Sequence, residues 1–229
     1  MLNVGHRTFA VKTVVASIVA IGLIALVPGA SASPIKWILV FGDSLSDGYG
    51  LKRSQAYPAL LAAKLDAVGL PYQVINSSAT GDTTDSGLRR LPPHLKHNSD
   101  SRRERSIDIF ILELGINDAF RGVPVDEIRK NLQAIIDQVK ARNPSVRIII
   151  CGMQLSNYDA GDYVSAFGQM YVDLARKNHT ALLPYLLEGV AGDPLLNSPD
   201  HIHPNAAGQK ILAENLWRVL EPIAREAAL

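Results

Sequence analysis

The feature that most constrains the fold is an alternation of short, mostly apolar runs with longer segments of helical periodicity. Ile35 to Phe41 runs into Gly42, and Tyr72 to Ile75, Ile107 to Leu114, Val146 to Cys151 and Ala181 to Leu183 are runs of the same kind. Runs this short suit strands buried on both faces. Between them, Gln55 to Val68 repeats apolar residues at helical spacing until Gly69-Leu70-Pro71 stops it. Pro124 to Arg142 predicts a helix with proline at its start and one stripe of Ile128, Leu132, Ile135, Ile136 and Val139. Val164 to Lys177 and Ala206 to Leu220 predict two more, with Pro222 just beyond the second. Apolar strands separated by amphipathic helices imply a parallel sheet covered on both sides. The expected class is therefore α/β, a three-layer α/β/α sandwich on a central, mainly parallel five-stranded sheet. No internal repeat or low-complexity tract interrupts it.

The first 32 residues stand apart from this pattern. His6, Arg7 and Lys12 come first with no acid among them, Thr13 to Val27 is uncharged and apolar, and Pro28-Gly29 precedes Ala30-Ser31-Ala32. That order predicts a secretory signal at residues 1–32, cleaved before Ser33, with one folded domain at 33–229. A retained anchor is the competing reading, but the apolar core is short for a span and ends at Pro-Gly. The expected location is the periplasm or the medium.

Charge and cysteine usage exclude several functions. With 23 basic and 22 acidic residues the net charge is +1. No strong field is left for nucleic acid or an anionic membrane. The single cysteine, Cys151, excludes an internal disulfide framework and a multi-cysteine zinc site, and it sits in an apolar run that predicts a buried thiol. Arg89, Arg90, Lys96, Arg102, Arg103 and Arg105 crowd one segment against Asp100 and Glu104. It reads as a solvated loop before the third strand; a patch for anionic lipid headgroups is the alternative.

Ligand and catalytic sites of open parallel sheets lie at the carboxyl ends of the strands. Here those ends carry Gly42-Asp43-Ser44-Leu45, Ser78-Ala79-Thr80-Gly81-Asp82-Thr83 and Gly115-Ile116-Asn117-Asp118, and Asp200-His201-Ile202-His203 precedes the last helix. A hydrolytic serine needs a base, a group to orient the base, and donors for the oxyanion. Ser44 follows a buried strand at a helix start and is the candidate nucleophile. Among six histidines, only His201 and His203 stand in a motif beside an acid. Asp200 and His203, three apart on one turn, place carboxylate beside imidazole. The Ser44 N–H, the Gly81 N–H and the Asn117 amide are the candidate oxyanion donors. Taken singly, each cluster could be turn chemistry, and Asp200, His201 and His203 could be half of a metal site. The four together point to serine hydrolysis without metal or cofactor.

These four blocks resemble the GDSL, or SGNH, hydrolase superfamily over nearly all of 33–229, and more closely its bacterial periplasmic acyl-thioesterase/lysophospholipase and arylesterase members. The resemblance implies a flavodoxin-like fold, with Ser44 as nucleophile, His203 as base, Asp200 as its orienting acid, and Ser44, Gly81 and Asn117 as oxyanion hole. Asp43 and Asp118 read as supports of their loops. Leu155 to Tyr163 is similar to the loop that contacts the acyl chain in such enzymes, which implies a substrate lid with Leu155 and Tyr158 as contacts. Two departures stand out: Ile116 where many of these enzymes carry a second glycine, and a longer basic stretch from Lys96 to Arg105.

The expected function is an exported esterase or thioesterase acting on a small-molecule ester or thioester, lipids included, through an acyl-enzyme. A carbohydrate O-deacetylase on the same scaffold and a non-catalytic exported binding protein are the rivals.

Overall fold

The computed structural model describes residues 1–2, 35–95, 106–155 and 161–228. Residues 3–32 of the expected signal, the stretch Lys96 to Arg105 and Tyr158 lie outside the described residues. Ser33–Leu229 is a compact unit of its own, and the sheet and helices belong to it.

Among the described residues five strands form one sheet: β1 (Lys36–Gly42), β2 (Tyr72–Asn76), β3 (Ile109–Glu113), β4 (Arg147–Cys151) and β5 (Ala181–Leu183). Their order is β2-β1-β3-β4-β5, and every pairing is parallel. The helices are α1 (Ser44–Asp47), α2 (Tyr57–Ala67), α3 (Thr84–Leu95), α4 (Ile116–Phe120), α5 (Val125–Arg142), α6 (Gly161–Asn178) and α7 (Ala206–Ala228). Helix α5 packs between α3 and α6, while α2 packs on α7. All five residues of β3 are buried, as a strand covered on both faces requires. The α/β/α sandwich expected from the alternation is the observed architecture, and the order 2-1-3-4-5 is the flavodoxin-like one.

Two helices differ from expectation. The segment from Arg89 to Leu95 is not a solvated loop but the second half of α3, which continues through Pro92 and Pro93. Two adjacent prolines hide a helix from sequence reading because they remove donors that an interior turn normally uses. Helix α7 likewise passes through Pro222 to Ala228 instead of stopping at Leu220. Its buried residues Leu212, Leu216, Leu220 and Ala224 continue one face across the proline, so burial of that face carries the helix on.

The topology positions the site. The chain leaves β1 for β2 on one side, and leaves β3 for β4 on the other. The carboxyl ends of β1 and β3 therefore diverge and open a crevice between neighbouring strands. In register, Gly42 faces Glu113 across it. A Cβ on Gly42 would stand 2.5 Å from Glu113 Oε2 and from Ser46 Oγ, so only glycine fits there.

Candidate active site

Ser44 is set by its neighbours on both sides. Asp43 caps α1, its Oδ1 accepting the Leu45 N–H at 3.0 Å, as short polar side chains do at helix starts. Gly48, at φ +80°, ends the helix one turn later. Beneath the turn, Ser46 Oγ donates to Glu113 Oε2 at 2.6 Å and lies 2.6 Å from the Tyr57 hydroxyl, while the Asp43 N–H reaches the same Oε2 at 3.2 Å. Gln209 of α7 pins this loop, giving an N–H to the Leu45 carbonyl and accepting the Tyr57 N–H. Ser44 is left 7% exposed, at the crevice.

The histidine turn arrives from the far end of the chain. Asp200 Oδ1 accepts the Ile202 and His203 N–H groups at 2.9 and 3.0 Å, and Oδ2 lies 2.7 Å from His203 Nδ1. His201 takes φ +59° to let the chain double back. The backbone N–H of His203, its ring and the Ile202 N–H together lower the Asp200 carboxyl to about 2. An ionised carboxylate only accepts, so Nδ1 carries the proton and Nε2 is free to accept. That Nε2 lies 2.9 Å from Ser44 Oγ. The Tyr49 ring packs 4.5 Å from the imidazole, tilted by 41°.

The loop after β2 carries the block around Gly81. Gly81 adopts φ +84°, a conformation open to glycine and costly for other residues. Among the described residues the N–H groups of Ser44 and Gly81 donate to no protein acceptor. Asn117 Nδ2 donates to Asp43 Oδ2 at 3.1 Å and to the Asp82 carbonyl at 2.9 Å, which fixes the plane of its amide. Asp118 accepts from the backbone and hydroxyl of Thr84 at 2.8 and 2.6 Å and so ties α4 to α3. Asp43 and Asp118 thus hold their loops, and Asp43 also holds Asn117.

Burial raises two carboxyls behind Ser44. Asp43 is pushed up to about 7, chiefly by desolvation, with the Asp82 charge adding to it against the Leu45 N–H. Glu113, fully buried beside Asp43, is driven well above the usual carboxylate range. Its Oε1 has no hydrogen-bond partner. Sequence reasoning misses Glu113 as a site residue. Its signal is a lone acid ending an apolar strand, where a charge is expensive unless it serves a purpose.

A cleft of ≈ 890 Å³ opens beside Ser44 and His203, lined in part by Ile116, Ala119, Phe120, Leu155, Tyr163 and Leu187. Leu155 lines this cleft. Tyr163 joins it there without a sequence signal of its own, its hydroxyl donating to the Val123 carbonyl at 2.7 Å. Among the described residues no three His, Cys, Asp or Glu side chains converge to hold a metal. The same residues include no helix long and apolar enough to cross a membrane.

Residues 40–211 match the GDSL-like lipase/acylhydrolase family. Esterase TesA of Pseudomonas aeruginosa is 37% identical over 202 residues, 88% of this chain and 96% of that protein. Thioesterase 1/protease 1/lysophospholipase L1 of Escherichia coli is 35% identical over 186 residues, 81% of this chain and 84% of that one. A crystal structure of TesA superposes with a TM-score of 0.74 at 36% identity, covering 82% of this chain and 99% of that one.

Proposed function

The chain belongs to the GDSL-like lipase/acylhydrolase family and is a hydrolase, and on that premise we propose that it is a serine esterase or thioesterase working through an acyl-enzyme. The observation that carries this reading is the chain of contacts Ser44 Oγ, His203 and Asp200, at 2.9 and 2.7 Å, beside an apolar cleft. Ser44 Oγ attacks the carbonyl carbon as His203 Nε2 takes its proton. Asp200 keeps the ring in the tautomer that can accept and stabilises the imidazolium. The oxyanion rests on the Ser44 and Gly81 N–H groups, with Asn117 sharing the hydrogen of its longer bond, that to Asp43. His203 then protonates the departing alcohol or thiol. A water activated by the same nitrogen releases the acid and restores Ser44.

The volume and apolar lining of the cleft favour medium or long acyl chains over acetate. An acetyl group needs no such groove, so the chain-length series separates this reading from the deacetylase alternative. The amino-terminal order of positive, apolar and small residues supports export to the periplasm or beyond.

The test is hydrolysis of p-nitrophenyl esters from acetate to palmitate by wild type and Ser44→Ala. Serine-dependent turnover peaking beyond butyrate is the expected result. A peak at acetate would favour the deacetylase or short-chain arylesterase alternative, and full activity in Ser44→Ala would overturn the mechanism.

A further inference from the structure

Arg90 belongs by sequence to a charged segment that reads as solvated, and its surroundings contradict that. Its side chain is 22% exposed, and its guanidinium spends donors on three different stretches of chain. Nη2 donates to the Gly42 carbonyl at 3.0 Å, two residues before Ser44. Nη1 donates to the Ser77 carbonyl at the end of β2, and Nε pairs with Asp82 Oδ2 in the loop that follows Gly81. The guanidinium carbon stands 3.9 Å over the Phe41 ring of β1.

Asp82 is where this matters. Its carboxylate takes Arg90 on one oxygen and the Ser86 hydroxyl on the other. Its backbone carbonyl takes the Asn117 amide at 2.9 Å. One rigid, planar cation therefore fixes the nucleophile's strand, the Gly81 loop and, through Asp82, the Asn117 amide in a single frame. A lysine offers its three donors from one nitrogen on a flexible stem, where the guanidinium presents donors from three nitrogens in a rigid plane toward three stretches of chain. Helix α3 supplies both anchors of the frame: Thr84 at its start grips Asp118, and Arg90 two turns on grips Asp82.

We infer that Arg90 is a positioning residue of the esterase reaction, holding the Gly81 and Asn117 donors at the distance from Ser44 that the oxyanion requires. The inference rests on the proposed roles of Ser44, Gly81 and Asn117. Donors displaced by a fraction of an ångström still permit substrate to bind but stabilise the tetrahedral state less, so the loss falls on kcat and not on KM.

The experiment compares wild type, Ser44→Ala, Arg90→Ala, Arg90→Lys, Asp82→Asn, Asn117→Ala and the double variant Arg90→Ala/Asn117→Ala. The readouts are kcat and KM on a p-nitrophenyl ester and inhibition by phenylboronic acid, which forms a tetrahedral adduct on serine. Arg90→Ala should lower kcat roughly 10- to 100-fold, a part of the 10²- to 10³-fold that losing a whole oxyanion donor costs. KM should stay within about threefold, the boronate constant should weaken in step with kcat, and Arg90→Lys should fall between. Because Arg90 acts on Asn117 through Asp82 and on the Gly81 loop besides, the double variant should lose clearly less than the product of the two single losses. Unchanged kcat in folded Arg90→Ala, or losses that multiply in the double variant, would overturn the inference. Should Arg90→Ala not fold, Asp82→Asn keeps the carbonyl that holds Asn117 while weakening the Arg90 pair, and unchanged kcat there overturns it equally. Full activity in Ser44→Ala removes the underlying reading and this inference with it; inactive Ser44→Ala beside fully active Arg90→Ala removes this inference alone.

Discussion

His203 Nε2 lies 2.9 Å from Ser44 Oγ although 159 residues separate them in the chain. The two meet because Gln209, one turn into α7, binds both the Leu45 carbonyl and the Tyr57 N–H. The last helix is thereby locked to the loop after the first strand.

That contact makes the roles of its members separable. Ser44→Ala should lower kcat by roughly 10⁶-fold, since without the nucleophile only binding and the oxyanion donors remain. Asp200→Asn should cost about 10⁴-fold because an amide favours the wrong imidazole tautomer. Steady-state kinetics on a p-nitrophenyl ester, with titration of the active serine by a phosphonate, measures both. An Asp200→Asn variant as fast as wild type would remove Asp200 from the mechanism.

The Asp43 carboxyl gives a pH dependence with a definite sign. Its pKa in the folded chain is raised to about 7 by burial, above the value of an exposed aspartate. Between about pH 4 and pH 7 the folded chain therefore holds a proton that the unfolded chain has lost. Stability from this group is fully present below pH 4 and declines as pH rises toward 7. Urea unfolding across that range should give a flatter profile for Asp43→Asn than for wild type; identical slopes would refute the assignment. Asp200 adds an opposite slope only up to about pH 5, while its unfolded carboxyl is still losing its proton; above that its contribution is constant, because the folded carboxyl is lowered to about 2.

Narrowing the cleft should change which esters are cleaved. Ala119 lines it, and Ala119→Phe should lower kcat/KM for a decanoyl ester by about tenfold, the worth of one to two buried methylenes. The acetyl ester should change by less than about threefold. Tyr158→Ala tests the expected lid in the same assay, with an altered chain-length optimum as the predicted outcome. Unchanged selectivity in both would detach the cleft from substrate choice.

Gly42→Ala should destabilise the fold. The added methyl would meet Glu113 Oε2 and Ser46 Oγ at 2.5 Å and the Glu113 carbonyl at 2.8 Å, where backbone cannot give way cheaply. Overpacking of this kind costs about 1–3 kcal/mol, and a drop of several degrees in Tm should report it. An unchanged Tm would mean that the crevice between β1 and β3 relaxes freely.

Export can be read directly. Amino-terminal sequencing of the protein recovered from the periplasm should begin at Ser33, whereas a chain retained whole in the membrane fraction would establish an anchor instead.

The order of apolar runs and amphipathic segments determined the sheet, its parallel sense and its covering helices, because burial on both faces leaves a period that sequence displays. The short blocks around Ser44, Gly81, Asn117 and Asp200 to His203 stood out equally as loops and caps, since turn and cap chemistry demands particular residue types at short spacing. What sequence did not display was α3, hidden behind Pro92 and Pro93, and with it the roles of Arg90 and Asp82. Nor could it place Glu113 beneath the Ser44 turn or bring His203 to Ser44. Those relationships depend on which strands become neighbours and on what a side chain meets across tens of residues. Local periodicity records only how a segment faces the core; the tertiary structure alone decides what it faces there.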